Sequence, residues 1–169
     1  MSDKPTVCIA GTLDTKGVEY KYLKESIEEL GVNTLVVDCG AIGAPYFEPD
    51  ISASEVAARA GIDLAIFADR KEGSEGRTLA VTKMGEGLGK VLRELHAEGR
   101  IDAVIGMGGT GGSDLLSPGF RSLPIGFPKL LVSTMASNNT KPYVGNSDLM
   151  MLNAVTDIAG LNRISMLVL

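Results

Sequence analysis

The sequence predicts an α/β fold built on a parallel sheet, and three observations carry that reading. Residues 6–38 run as a short apolar strand, an amphipathic helix and a β-branched strand, a spacing that requires a parallel pair joined by a right-handed crossover. Further short apolar runs begin at Ile101 and Lys129. Each of these three apolar runs (residues 6–10 and the two just named) passes directly into residues that can bind an anion: GTLDTKG at 11–17, GMGGTGG at 106–112 and STMAS at 133–137.

Taken in order, residues 6–10 form the first strand, and residues 19–30 place Tyr22, Leu23, Ile27 and Leu30 on one helical stripe that Gly31 terminates. Residues 34–37 return as a strand. Residues 40–50, rich in glycine and proline, form a loop, after which Ser52 caps a short helix carrying Val56 and Ala57, with Glu55 at the capping-box position. Residues 61–70 suit strand and helix equally, and residues 71–76 read as a charged, mobile loop. Residues 77–98 carry Leu79, Val81, Met84, Leu88, Val91, Leu92 and Leu95 on one long helix.

That helix contains Gly85, Gly87 and Gly89, which together cost roughly 2 to 3 kcal/mol against alanine. Close approach of another backbone, such as a partner subunit, would offset the cost, and so would a bend packed within one chain. Beyond the 106–112 glycines, Pro118 is expected to stop a helix of two turns, residues 129–132 to form a strand and residues 149–159 a helix. The apolar end, residues 164–169, suggests a longer protein or a tail docked on a partner. No internal repeat is present.

A chain of 169 residues makes one domain or two small lobes sharing a cleft. The net charge of -5 and the absence of tryptophan argue against a nucleic-acid groove built from phosphate contacts and stacking platforms. The expected ligand is small. Cys8 and Cys39, in apolar surroundings, read as reduced core residues. A short polar start and no apolar stretch near ~18 residues predict neither signal peptide nor membrane span, hence a cytoplasmic protein.

If the first and third principal strands are neighbours, their loops face each other across one crevice at the carboxyl edge of the sheet. Gly106, Gly108 and Gly111 satisfy G-x-G-x-x-G, but no acid follows about twenty residues later, so the dinucleotide fingerprint fails. Asp38 instead ends the second strand, where it can accept from a ribose hydroxyl or serve as a turn aspartate. Lys16-Gly17 reverses the order of a P-loop, so this is no Walker A motif. Thr12, Thr15 and Lys16 can still donate to a phosphate, and Asp14 can hold Mg²⁺ through water or cap a helix. Ser133, Thr134 and Ser137 add hydroxyls without a nucleophile elbow. His96, the single histidine, reads as a helix C-terminal residue favoured by the dipole.

The strings GTLDTKG, IGMGGTGG, LPIGFPKLLVSTMAS, PYVGNSD and AGLNRIS, in this order over nearly the whole chain, resemble the N-terminal ATP-binding domain of the tomato mosaic virus resistance protein-like family. The resemblance implies a Rossmann-like nucleotide-binding domain spanning residues 1–169, a sheet with helices on both faces, a homodimer formed through this domain, and a following C-terminal barrel-like domain. The matching positions are Thr12, Asp14, Gly108, Gly109, Thr110, Gly111, Gly112, Ser133, Thr134, Ser137 and Asn146. Asn138 and Asn139 stand where relatives are expected to carry a glycine, a change asparagine tolerates in the left-handed region.

The expected function is therefore binding of ATP or a related nucleotide, with or without Mg²⁺, on glycine-rich strand-end loops, Lys16, Thr12 and Thr110 assisting. A phosphotransferase or phosphohydrolase acting on a small acid is the enzymatic alternative, with Asp14 positioning a metal and Ser133 or Thr134 near the transferred group. A dimerisation or protein-interaction domain with structural glycines is the third.

Overall fold

The computed structural model describes residues 4–67 and 74–169. Strands β1 (Thr6–Gly11), β2 (Asn33–Asp38), β3 (Ala103–Gly108), β4 (Lys129–Ser133) and β5 (Met150–Asn153) form one sheet in the order β2-β1-β3-β4-β5. Every neighbouring pair is parallel. The α/β expectation holds as a Rossmann-like architecture, and the described residues form one sheet rather than two lobes.

Alternation along the strands builds two cores. Cys8, Ala10, Leu35, Val37 and Leu131 pack under α2 (Ala53–Arg59), α3 (Ser74–Ala97) and α4 (Thr110–Arg121). On the other face, Ile9, Val36, Met107 and Val132 meet α1 (Leu13–Glu29) and the segment 154–169. Both faces of the sheet are thus covered, as parallel sheets require.

Helix α1 starts six residues earlier than its expected stripe and is kinked at Lys16 (φ -131°, ψ 27°). Its buried face is Leu13, Gly17, Tyr20 and Leu23, whereas Leu30 is 82% exposed because it already lies at the C-cap. Gly31 leaves the helix at φ +78°, as expected. Ser52 and Glu55 form the predicted capping box. Residues 64–67 form a 3-10 turn, residues 74–76 open α3 rather than a loop, and the rest of the expected charged loop, 71–73, lies outside the described residues.

The α3 glycines are explained within the chain. A Cβ on Gly87 would lie 2.1 Å from the Val56 carbonyl oxygen in α2, and one on Gly85 would lie 2.8 Å from that of Leu115 in α4. Three helices therefore meet backbone to backbone over one face.

Two expectations fail. Pro118 does not stop α4, which continues to Arg121; burial of Leu115, Leu116 and Phe120 offsets the ~3 kcal/mol penalty of an internal proline. Residues 150–153 form β5 rather than a helix, because β4 offers a free edge and Leu130 to Ser133 pair with it residue for residue. Val155, at φ +66°, then turns the chain back towards α1, and α5 (Lys141–Val144) and α6 (Ser165–Val168) are single turns.

Candidate functional site

The sheet order reverses between β1 and β3, which pair through Val7, Cys8 and Ile9 with Ala103, Val104 and Ile105. This is the switch point at which open α/β sheets take ligands beyond the carboxyl ends of their strands. The glycine-containing loops after β1 and β3 lie on its two sides, and the Ser133–Ser137 turn follows β4 beside them.

On the β1 side the loop is bound by carboxylates. The Leu13 amide donates to Asp38 Oδ1 at 3.0 Å, and Gly40 donates to the same oxygen at 2.8 Å. Asp38 thus holds the position an anion would take at the start of α1. Burial raises its pKa, the two amides oppose that shift, and the nearby Asp14 charge adds to it. Asp14 Oδ2 accepts from Ile42 at 3.0 Å and Gly43 at 3.3 Å, while its Oδ1 is buried without a hydrogen-bond partner. Thr12 is the N-cap residue of α1, and its hydroxyl accepts from Thr15 at 2.8 Å. Lys16 donates to the Ile158 carbonyl rather than to the loop it belongs to.

On the β3 side the chain presents backbone. Gly109 is the N-cap of α4 and offers no side-chain cap. Gly108 lies so close to the first turn that its Cβ would be 2.9 Å from Gly112 Cα. The Arg77 guanidinium lies over the same turn, 3.1 Å from where a Gly111 Cβ would stand. Ser113 Oγ reaches Gly109 O at 2.8 Å and Ser133 Oγ at 2.6 Å, and Ser133 Oγ accepts from the Met135 amide at 3.0 Å. Thr110 donates to Met135 Sδ at 3.3 Å, and Thr134 Oγ1 is 3.7 Å from a Gly109 Cβ position. A groove of about 920 Å³ continues from Arg77, Thr110 and Gly111 between α3 and α4 towards Lys90 and Ser122.

Thr12, Asp14 and Asp38 therefore gather at the β1 and β2 ends, and Gly108, Gly109, Thr110, Gly111, Gly112, Ser133 and Thr134 at the β3 and β4 ends. Ser137 closes the 3-10 turn after β4, bonding Thr134 O at 3.2 Å. Asn138 is extended (φ -117°) rather than left-handed. Asn146 is not part of this gathering. It lies two residues from Asp148, whose carboxylate pairs with Lys129 Nζ at 2.7 Å at the opposite end of β4, about 13 Å of strand from Ser133.

Arg77 and Ser113 of the site, and Tyr20, whose hydroxyl bonds the β3 backbone at Met107, were missed in the sequence. Arg77 carries a legible signal, since no acid stands three or four positions away along its helix. Ser113 was hidden behind the glycines, and Tyr20 fell beside the stripe assigned to α1. Among the described residues no group of three or more His, Cys, Asp or Glu is placed to hold a metal. Cys8 and Cys39 are free and buried, with thiols pushed up by burial, and no described helix is long and apolar enough to cross a membrane.

Similarity to known proteins extends over nearly the whole chain. A UPF0261 protein of Clostridium tetani is 39% identical over 94% of this chain and 38% of its own length. A UPF0261 protein of Rhizobium meliloti is 41% identical over 96% of the chain and 39% of its own length. The ToMV resistance protein Tm-1 of Solanum lycopersicum is 35% identical over 99% of the chain and 24% of its own length. The chain spans well under half of these relatives. Among solved structures, MurG of Acinetobacter baumannii matches at a TM-score of 0.38 and 16% identity, over 78% of this chain and 34% of that one. Residues 5–169 match the N-terminal domain model of the uncharacterised protein family UPF0261, and the chain belongs to that family.

Proposed function

We propose that this domain binds a nucleotide of the ATP type, with its phosphates on the β3–α4 turn and its sugar towards the β1 and β2 ends. The observation that carries the reading is the division of charge across the switch point. Two carboxylates, Asp14 and Asp38, occupy one side, and the uncapped first turn of α4 stands beside the Arg77 guanidinium on the other. A cation at the positive end of a helix is repelled by the dipole, and a phosphate between them reverses the sign of the interaction.

The acceptor side needs a donor. Asp14 Oδ1, buried and unpaired, suits a ribose hydroxyl or a water held by Mg²⁺. Thr12, Thr110 and Thr134 supply hydroxyls around the path. Ser133 is locked to Ser113 and Met135, which disfavours it as a nucleophile and favours binding over phosphoryl transfer. We also propose a homodimer and a contact with the further domain of the longer relatives; exposed Met150, Leu152 and Leu167 offer apolar surface for these, whereas the α3 glycines are already covered.

Thermal stability with ATP, NAD and inorganic phosphate, with and without Mg²⁺, tests the reading. A ligand at a hundred times its Kd adds about 2.7 kcal/mol. Gly109→Val, at an extended backbone position where a Cβ would meet only Thr134 Oγ1 at 3.7 Å, should fold and lose the shift, while His96→Ala keeps it. The absence of a shift with any nucleotide overturns the proposal.

A further inference from the structure

The ladder between β1 and β3 ends at Ile9 and Ile105, although both strands run on. Backbone groups alternate along a strand, so two residues after Ile105 it is Met107 that turns its N–H and C=O towards β1. Neither group meets β1. The Tyr20 hydroxyl, which is wholly buried, donates to the Met107 carbonyl at 2.7 Å and accepts from the Met107 amide at 2.9 Å. Gly11 makes the space, because a Cβ there would lie 1.8 Å from Tyr20 Cζ. A side chain from α1 thus completes the sheet at the switch point and holds the ends of β1 and β3 apart.

Met107 is followed at once by residues 108–112, the glycines of the β3–α4 turn. We infer that Tyr20 is a positioning residue for that turn: through Met107 it fixes where the turn stands relative to the first loop, without touching a ligand. The inference rests on the phosphate reading above for its functional consequence, though its structural half does not. Burial pushes the phenol pKa up, so the hydroxyl stays protonated and keeps donating. Removing it leaves a buried amide and carbonyl unpaired, a debt that the strand end can discharge only by moving.

The experiment compares Tyr20→Phe with Leu23→Ala, a buried change one turn along α1 that leaves the phenol in place. Exchange of the amides at 107–112 is followed by NMR where both variants remain folded, together with ATP affinity. In Tyr20→Phe these amides should exchange about tenfold faster or more, and affinity should fall by a similar factor. Leu23→Ala should keep both even if it is destabilised more. Unchanged exchange in Tyr20→Phe, or equal loosening in Leu23→Ala, overturns the inference. So does a rapidly exchanging Met107 amide in the wild-type protein, a measurement that needs no variant to fold. If the wild-type domain binds no ATP, the nucleotide reading fails, while the exchange comparison still decides the role of Tyr20.

Discussion

The hydroxyls of Ser113 and Ser133 lie 2.6 Å apart, both wholly buried, and join the first turn of α4 to the end of β4. Through them the second and third strand-end loops behave as one body. Ser133 Oγ also holds the Met135 amide, and Ser113 Oγ holds Gly109 O, so the pair sits inside a chain of four polar groups. Replacing either serine by alanine should cost about 1 to 3 kcal/mol, because the partner is left short of a hydrogen bond in a dry place. The double variant should cost less than the sum. Urea unfolding of the four proteins in the cycle checks this, and strict additivity would show that the hydroxyls act independently.

Gly11 is predicted to be intolerant for a reason unrelated to phosphate. Gly11→Ala drives a methyl group into the Tyr20 ring and should lower stability by about 1 to 3 kcal/mol or more. Gly109→Ala, with only Thr134 Oγ1 at 3.7 Å, should leave the urea midpoint nearly unchanged. A tolerated Gly11→Ala would mean that the phenol does not fill the strand gap.

The three α3 glycines should separate by their neighbours. Gly87→Ala and Gly85→Ala press on the backbone carbonyls of Val56 and Leu115 and should each destabilise the isolated domain. Gly89→Ala meets its nearest atoms at 3.5 Å, ordinary contact, and should gain up to about 1 kcal/mol of helix propensity. Unfolding at several protein concentrations checks the origin of the effect. A loss confined to concentrations where dimers form would return these glycines to a subunit interface.

Asp38 should give stability a distinctive pH dependence. Because burial raises its folded-state pKa, the folded protein takes up the proton at higher pH than the unfolded chain does. Its ionisation therefore opposes folding at neutral pH, and the opposition disappears as pH falls through the raised pKa towards the ordinary carboxylate value. Asp38→Asn keeps an oxygen for the Leu13 and Gly40 amides and removes the charge, so it should be more stable than the wild type at pH 7. The gap should close on acidification. Carboxylates such as Asp148, lowered to about 2 chiefly by its hydrogen bond from Lys129, act in the opposite sense but are common to both proteins. A gap that does not change with pH would show that Asp38 does not titrate as its burial requires.

Much of the frame could be read from local pattern. The β-branched run at 34–37, the Ser52 and Glu55 capping box and the Gly31 stop depend on neighbours a few residues away, and each stands where the sequence placed it. The failures share a different cause. Residues 150–153 are apolar enough for a helix and became a strand because β4 had an open edge, while Pro118 sits in a helix because the residues around it are buried. Lys16 and Asn146 belong to motifs that looked suited to a ligand, yet one is drawn to Ile158 and the other stands at the far end of the sheet.

The sequence alone determined the class of fold and where the first, third and fourth strands end in their loops, because hydrophobic period, glycine and capping residues act over one or two turns of chain. Only the tertiary structure decided that Asp38 answers the first loop from within, that Arg77 stands over the β3–α4 turn from 34 positions upstream of Gly111, and that Tyr20 takes the place of a strand. Those relationships join residues far apart in sequence, and their energies arise from burial and from pairing groups across the sheet, which no local pattern encodes.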